Sequence, residues 1–143
     1  MKNIYFFFAI LFFLSESVFA ANWEFFSPQK SVGLSIGITQ TGHRFVHSIR
    51  YLQRKVIKDS SIRFEFKHEK NFSKNLKITN LDEQVVSETW TPIAGERRQE
   101  VNHYRQILVT LKEMIRPFRT LQIEYRLYDY GLGFRYYFPP EFS

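Results

Sequence analysis

Cysteine is absent from the 143 residues. The chain therefore has no disulfide framework, no thiolate metal site, no cysteine nucleophile and no thiol for a lipoprotein anchor. Six glycines and five prolines form neither a Pro-rich linker nor a glycine-rich phosphate loop, and no repeat or low-complexity segment is visible. Residues 4–14 are the sole unbroken apolar run; at 1.5 Å per residue they reach only ~16 Å, too short for a ~30 Å bilayer core. What is present is 44% hydrophobic, 18% aromatic and 24% charged residues, a globular composition that excludes general disorder. At roughly 100–200 residues per domain, one domain is expected.

The start of the chain reads as a targeting segment. Lys2 precedes the apolar run, and Ser15-Glu16-Ser17 leads into Val18-Phe19-Ala20, with small residues at the −3 and −1 positions of a cut after Ala20. The expected organisation is a signal peptide at 1–20 and one domain at 21–143, exported to the periplasm or secreted, with no membrane attachment after cleavage. A domain of this size buries roughly two thirds of its unfolded surface, enough for one core.

Alternation dominates that domain. Val32, Leu34, Ile36 and Ile38 alternate with Gly33, Ser35, Gly37 and Thr39; Ile62, Phe64 and Phe66 alternate with Arg63, Glu65 and Lys67. The same period recurs at Ile107, Val109 and Leu111, at Leu121, Ile123, Tyr125 and Leu127, and at Phe134, Tyr136 and Phe138. Residues two apart share a strand face, so each run offers one face to a core. Turn chemistry falls at Thr41-Gly42, Lys58-Asp59-Ser60-Ser61, 70–75, Ala94-Gly95 and Asp129-Tyr130-Gly131. A helix competes over 99–112, where Val101, Tyr104, Leu108 and Leu111 also fit a 3–4 spacing, but the β-branched Ile107, Val109 and Thr110 favour a strand. The fold class expected is all-β, an antiparallel β-sandwich; uneven strand spacing disfavours a closed barrel.

The net charge of +6 is unevenly placed: residues 30–77 hold 11 Lys/Arg against 3 Asp/Glu, and the stretch from 78 onward 8 against 9. A solvated outer face, with Lys guarding an edge strand, is the plainer reading. The alternative is an exported binding β-sandwich that uses a basic face on an anionic partner. Nucleic acid is not an expected partner of an exported chain.

Residues suited to chemistry are sparse. His43, His47, His68 and His103 are scattered; His43 and His47 on one strand would stand ~13 Å apart, too far to share a metal. Gly131-Leu132-Gly133 reads as a hairpin turn needing positive φ. Gly33-Leu34-Ser35-Ile36-Gly37 matches a nucleophile-elbow string, yet it sits in an alternating strand, not at a strand–turn–helix junction. Asp82, Glu83, Glu88, Glu96 and Glu100 lie close enough in sequence to offer the two carboxyls of a glycosidase, although strand surfaces supply such residues routinely. Trp90 and Tyr104 present faces on which a sugar ring stacks; domain-interface packing is the competing role.

An ordered set of motifs carries a family resemblance. Glu88-Thr89-Trp90-Thr91-Pro92, then Gly95-Glu96, Val101-Asn102-His103-Tyr104 and 107–111, closing on Leu127-Tyr128-Asp129-Tyr130-Gly131-Leu132-Gly133-Phe134-Arg135-Tyr136, resemble the N-terminal domain of glycoside hydrolase family 97. Ser27-Pro28, 51–58 and Ile62-Arg63-Phe64 fit its opening. One departure is Ala94, where the family tends to place a bulky aromatic before Gly-Glu.

The resemblance implies a galactose-mutarotase-like supersandwich preceding a (β/α)8 barrel in exported α-glucosidases and α-galactosidases that use calcium. The family's acid and its base or nucleophile lie on the barrel, and its N-terminal calcium-ligating glutamate lies on a later strand. No catalytic or metal position carries over, so this chain is expected to bind no cofactor and to be silent alone. Trp90, Glu96, Asn102 and Tyr104 remain as carbohydrate-binding or domain-interface residues, with carbohydrate and a separate catalytic barrel chain as partners. An incomplete sandwich would leave the Ile62/Phe64/Phe66 and Leu121/Ile123/Tyr125 faces partly uncovered, at roughly 25 cal/mol per Å².

Overall fold

A computed structural model describes residues 19–91 and 100–140, with side chains described for 21–89, 91 and 101–140. The first strands are β1 (Phe19–Phe26), β2 (Val32–Thr39), β3 (Phe45–Tyr51) and β4 (Arg54–Ser61). They are followed by β5 (Leu76–Trp90), β6 (Glu100–Glu113), β7 (Thr120–Tyr128) and β8 (Gly131–Tyr137). Each set of four forms one antiparallel meander, ordered β1-β2-β3-β4 and β5-β6-β7-β8. The fold is an all-β sandwich of two antiparallel sheets.

Alternation decides which faces meet. Val32, Leu34, Ile36 and Ile38 of β2, with Phe45 and Ile49 of β3, face Ile107, Val109 and Leu111 of β6 and Leu121, Ile123, Tyr125 and Leu127 of β7 across one core. Register enforces this facing, because a one-residue slip would turn every apolar side chain to solvent. Ile107 pairs with Tyr125, Val109 with Ile123 and Leu111 with Leu121, so apolar neighbours lie abreast. Over 99–112 the described residues 100–112 are strand, paired along most of their length with β5.

Several sequence-based expectations need correction. Lys58-Asp59-Ser60-Ser61 is not a turn but the end of β4, paired with β3. The β3–β4 turn is instead Leu52-Gln53, both at positive φ (45° and 68°), joining the paired Tyr51 and Arg54. That is the twist a two-residue hairpin demands, here without Asn or Gly. Gly131 and Gly133 lie inside β8, and neither has a positive φ. Residues 62–66 keep their alternating burial but form no strand; they make a single bridge, Phe64 to Phe72.

The uncovered faces expected from the sequence are corrected in part, since Phe64 and Phe66 are only partly buried against the core. Ile62 is 5% exposed, and Leu121, Ile123 and Tyr125 are fully buried. The segment after β4 provides cover near the β8 edge: the Phe64 ring meets Phe72 at 6.4 Å, Tyr136 at 4.9 Å and Phe138 at 5.3 Å. Apolar exposure falls elsewhere, at Ile57 on β4 and at Phe134 on β8 (37% and 45%). Val85 and Val101, on the distal β5–β6 hairpin, are exposed as well.

Two polar contacts fix the assembly. Across the core, His47 Nδ1 and the Tyr125 hydroxyl share a hydrogen bond of 2.9 Å, joining β3 to β7. Desolvation holds His47 below its ordinary range, and burial pushes the Tyr125 phenol up. At one end, the buried Arg119 guanidinium donates to Glu113 through Nε at 2.9 Å and Nη2 at 2.8 Å. Arg119 also donates to the Lys70 carbonyl at 2.7 Å and packs on the Phe66 and Phe72 rings.

Candidate functional site

Strands β5 and β6, of 15 and 14 residues, are the longest in the molecule's described part. Their distal halves project past the two-sheet core as an exposed ribbon: residues 82–85 and 87–89 are all exposed. The sequence-selected residues map onto this arm. Trp90 ends β5 opposite Glu100, Asn102 pairs with Glu88, and Tyr104 pairs with Val86 at the arm's base. Glu96 and the Ala94-Gly95 turn lie outside the described residues, as does the Trp90 side chain.

Asn102 and Tyr104, two residues apart, share the outer face of the second sheet. Tyr104 is only 3% exposed, and its surroundings explain why. The Arg126 guanidinium lies 5.1 Å above its ring, and the Tyr128 ring sits 5.0 Å away. Burial pushes the Tyr104 phenol up, against the downward pull of Arg126. With its ring covered in this way, Tyr104 supports a platform; the open aromatic surface beside it belongs to Tyr128 and Tyr130, stacked at 5.4 Å. Tyr130 is 80% exposed.

Next to this platform is a depression of about 270 Å³ lined by Glu124, Arg126, Tyr128, Gly133, Phe134 and Arg135. Glu124 is pinned there by Arg126 Nε at 2.6 Å and Arg135 Nε at 2.7 Å. Burial works against its charged form, but the two arginines together outweigh that and hold the carboxyl below the usual range. Gly133 faces open space in this depression, since a Cβ there would meet nothing within 4 Å. Planar donors, a fixed carboxylate and exposed tyrosine faces suit a hydroxyl-rich ligand or a polar domain contact. Sequence reasoning missed Arg126, Tyr128, Tyr130 and Arg135 because their relation is cross-strand and needs the β6–β7–β8 register.

The other candidates separate. Ser35 lies mid-strand and donates to Glu24 at 3.2 Å, with Glu24 also bridged to Arg50 at 3.0 Å, so the elbow string is a strand surface. Glu83 pairs with Arg105, while Asp82 and Glu88 are exposed along β5. His43 sits in a turn at positive φ and His47 is in the core. Among the described residues, no group of three His, Asp or Glu side chains is placed to hold a metal ion.

Comparison with known proteins gives this geometry its family. The sequence profile described as glycosyl-hydrolase 97 N-terminal matches residues 25–143. The chain belongs to the glycoside hydrolase family 97 N-terminal domain family. A solved family 97 enzyme from Pseudoalteromonas sp. strain K8, in complex with acarbose, superposes with a TM-score of 0.74 at 28% identity, over 82% of this chain and 17% of that one. A variant of a family 97 enzyme from the same strain, in complex with panose, gives the same values. A β-arabinopyranosidase, at 16% identity and TM-score 0.69, covers 82% of this chain and 18% of its own, and shares the fold. The chain thus spans about a sixth of the length of these enzymes.

Proposed function

We propose that this chain is a non-catalytic, carbohydrate-associated N-terminal domain of an exported family 97 α-glycosidase that takes part in oligosaccharide breakdown. The family match over residues 25–143 carries the reading. The 17% share of the neighbouring enzyme supports placing the chemistry on other parts of such a protein. The acarbose and panose complexes of the neighbouring enzymes support a saccharide as the ligand class. Export rests on Lys2, the apolar run of residues 4–14 and the Val18-Phe19-Ala20 pattern.

Within this reading, the projecting β5–β6 arm and the Tyr104–Arg126–Tyr128 face meet either the sugar or the catalytic barrel. An NMR titration of the isotope-labelled chain with maltotriose tests the sugar role. Shifts clustered at Asn102, Arg126, Tyr128 and Tyr130 support it. An unperturbed spectrum at high millimolar sugar removes saccharide contact from the proposal.

A further inference from the structure

We propose that the end of the sandwich remote from the β5–β6 arm tip is an anion-binding site, suited to a small ligand carrying two or more phosphate, sulfate or carboxylate groups. Three connections meet there: the β2–β3 turn, the segment before β5 and the β6–β7 turn. Backbone hydrogen bonds stitch them together. Asn75 N–H donates to the Gly42 carbonyl at 2.9 Å, Leu76 N–H to the His43 carbonyl at 2.9 Å, and Met114 N–H to the Asn75 carbonyl at 2.7 Å. Arg119 ties the Lys70 carbonyl to the same end.

Together these segments border an open groove of about 600 Å³, lined by the largely exposed Arg44, Arg63, Lys70, Lys74 and Arg116 with Asn71, Ser73, Asn75, Glu113 and Ile115. That volume falls within the roughly 300–1,000 Å³ of small-molecule sites. Charge bookkeeping leaves it strongly positive. Glu113 is the single acid of the lining, and its carboxylate is consumed by Arg119, as a buried pair. Glu69 also faces Arg119, at 3.3 Å, and Arg63 is bridged to Glu65 at 2.7 Å. Arg44, Lys70, Lys74 and Arg116 have no carboxylate partner among the described residues. Four unneutralised cations around one concavity repel each other in the free chain and are relieved by an anion. Arginine forks and lysine ammoniums, beside the Asn71 and Asn75 amides, are the donors an oxyanion takes.

The site was invisible as a local motif because its members are spread from position 44 to 116. The basic excess of residues 30–77 divides in space: Lys55 and Lys58 lie on the exposed β4 edge, while Arg44, Arg63, Lys70 and Lys74 gather here with Arg116 from another strand connection.

Calorimetric titration of the full chain with inorganic pyrophosphate and with a sulfated disaccharide, using maltose as the uncharged control, tests the proposal. Saturable binding of at least one charged probe and none of maltose is expected, weakening roughly tenfold or more between about 20 and 200 mM salt. Preference for pyrophosphate points to a phosphate ligand, and preference for the disaccharide to an anionic saccharide. Arg44→Gln/Lys74→Gln/Arg116→Gln should lose roughly tenfold or more in affinity, and the edge control Lys55→Gln/Lys58→Gln less than about twofold. Should the triple variant fail to fold by circular dichroism, Lys74→Gln alone is read, with about a threefold loss expected. No saturable binding, an unchanged groove variant, or equal losses in groove and edge variants would overturn the site.

Discussion

Glu113→Ala is the perturbation whose cost the structure defines best. Glu113 and Arg119 side chains are 6% and 2% exposed, so the pair is held out of water. Glu113 receives three bonds from Arg119: the main-chain N–H at 3.1 Å, Nε at 2.9 Å and Nη2 at 2.8 Å. Removing one partner of a buried pair costs about 3–5 kcal/mol, because the other charge stays buried without its counterion. Arg119 would keep Glu69 at 3.3 Å and the Lys70 carbonyl at 2.7 Å. These survivors reduce the expected loss to about 2–4 kcal/mol, a large part of a total stability of about 5–15 kcal/mol. Urea unfolding is the assay: with a slope of about 1–3 kcal/mol per molar, the midpoint should fall by about 1–2 M at unchanged slope. Glu113→Leu/Arg119→Met, which removes both charges, should recover most of that loss. A Glu113→Ala loss below about 1 kcal/mol, or a double variant as unstable as the two single losses added, would refute the reasoning.

Four further outcomes follow from the same contacts. Leu34→Ala, at a fully buried core position, should cost about 2–5 kcal/mol in urea unfolding. Tyr125→Phe leaves His47 Nδ1 without its 2.9 Å partner and should cost about 1–3 kcal/mol by the same measurement. Leu52→Asn/Gln53→Gly should stabilise the chain by about 1–2 kcal/mol, since both positions hold a left-handed backbone. Melting temperature should fall with acid in two stages. His47 is depressed from its ordinary 6.5, so its contribution is complete above that pH and is lost as the unfolded state protonates below it. Glu124 is depressed from 4.5, and its contribution is lost below that value. A melting temperature flat from about pH 8 to 5 would contradict the first assignment, and one flat from about pH 5 to 3 the second.

The strands whose sequences alternate were legible: β2, the core half of β6, β7 and β8 come straight from that alternation, although burial itself is two-sided along β2 and shallow along β8. β5 was not, because most of it projects beyond the core and carries no apolar stripe to read. β4 was obscured for a similar reason: Lys58-Asp59-Ser60-Ser61 has turn composition, yet an edge strand tolerates polar residues on both faces. The Leu52-Gln53 turn lacked Asn and Gly, so its chemistry gave no warning. The family resemblance was legible in ordered motifs, whereas the two surface sites were not. Tyr104 could be picked out as an aromatic, but its coverage by Arg126 and Tyr128 depends on register; the basic groove depends on Arg116 arriving from a distant turn.

Under the proposed function, sugar cleavage resides on other parts of a family 97 enzyme. The most direct test of this claim is product chromatography after incubating the purified chain with maltotriose and with an α-galacto-oligosaccharide, with and without calcium. Both oligosaccharides should remain intact, at the level of a protein-free blank. Glucose or galactose released in proportion to protein concentration would contradict the claim.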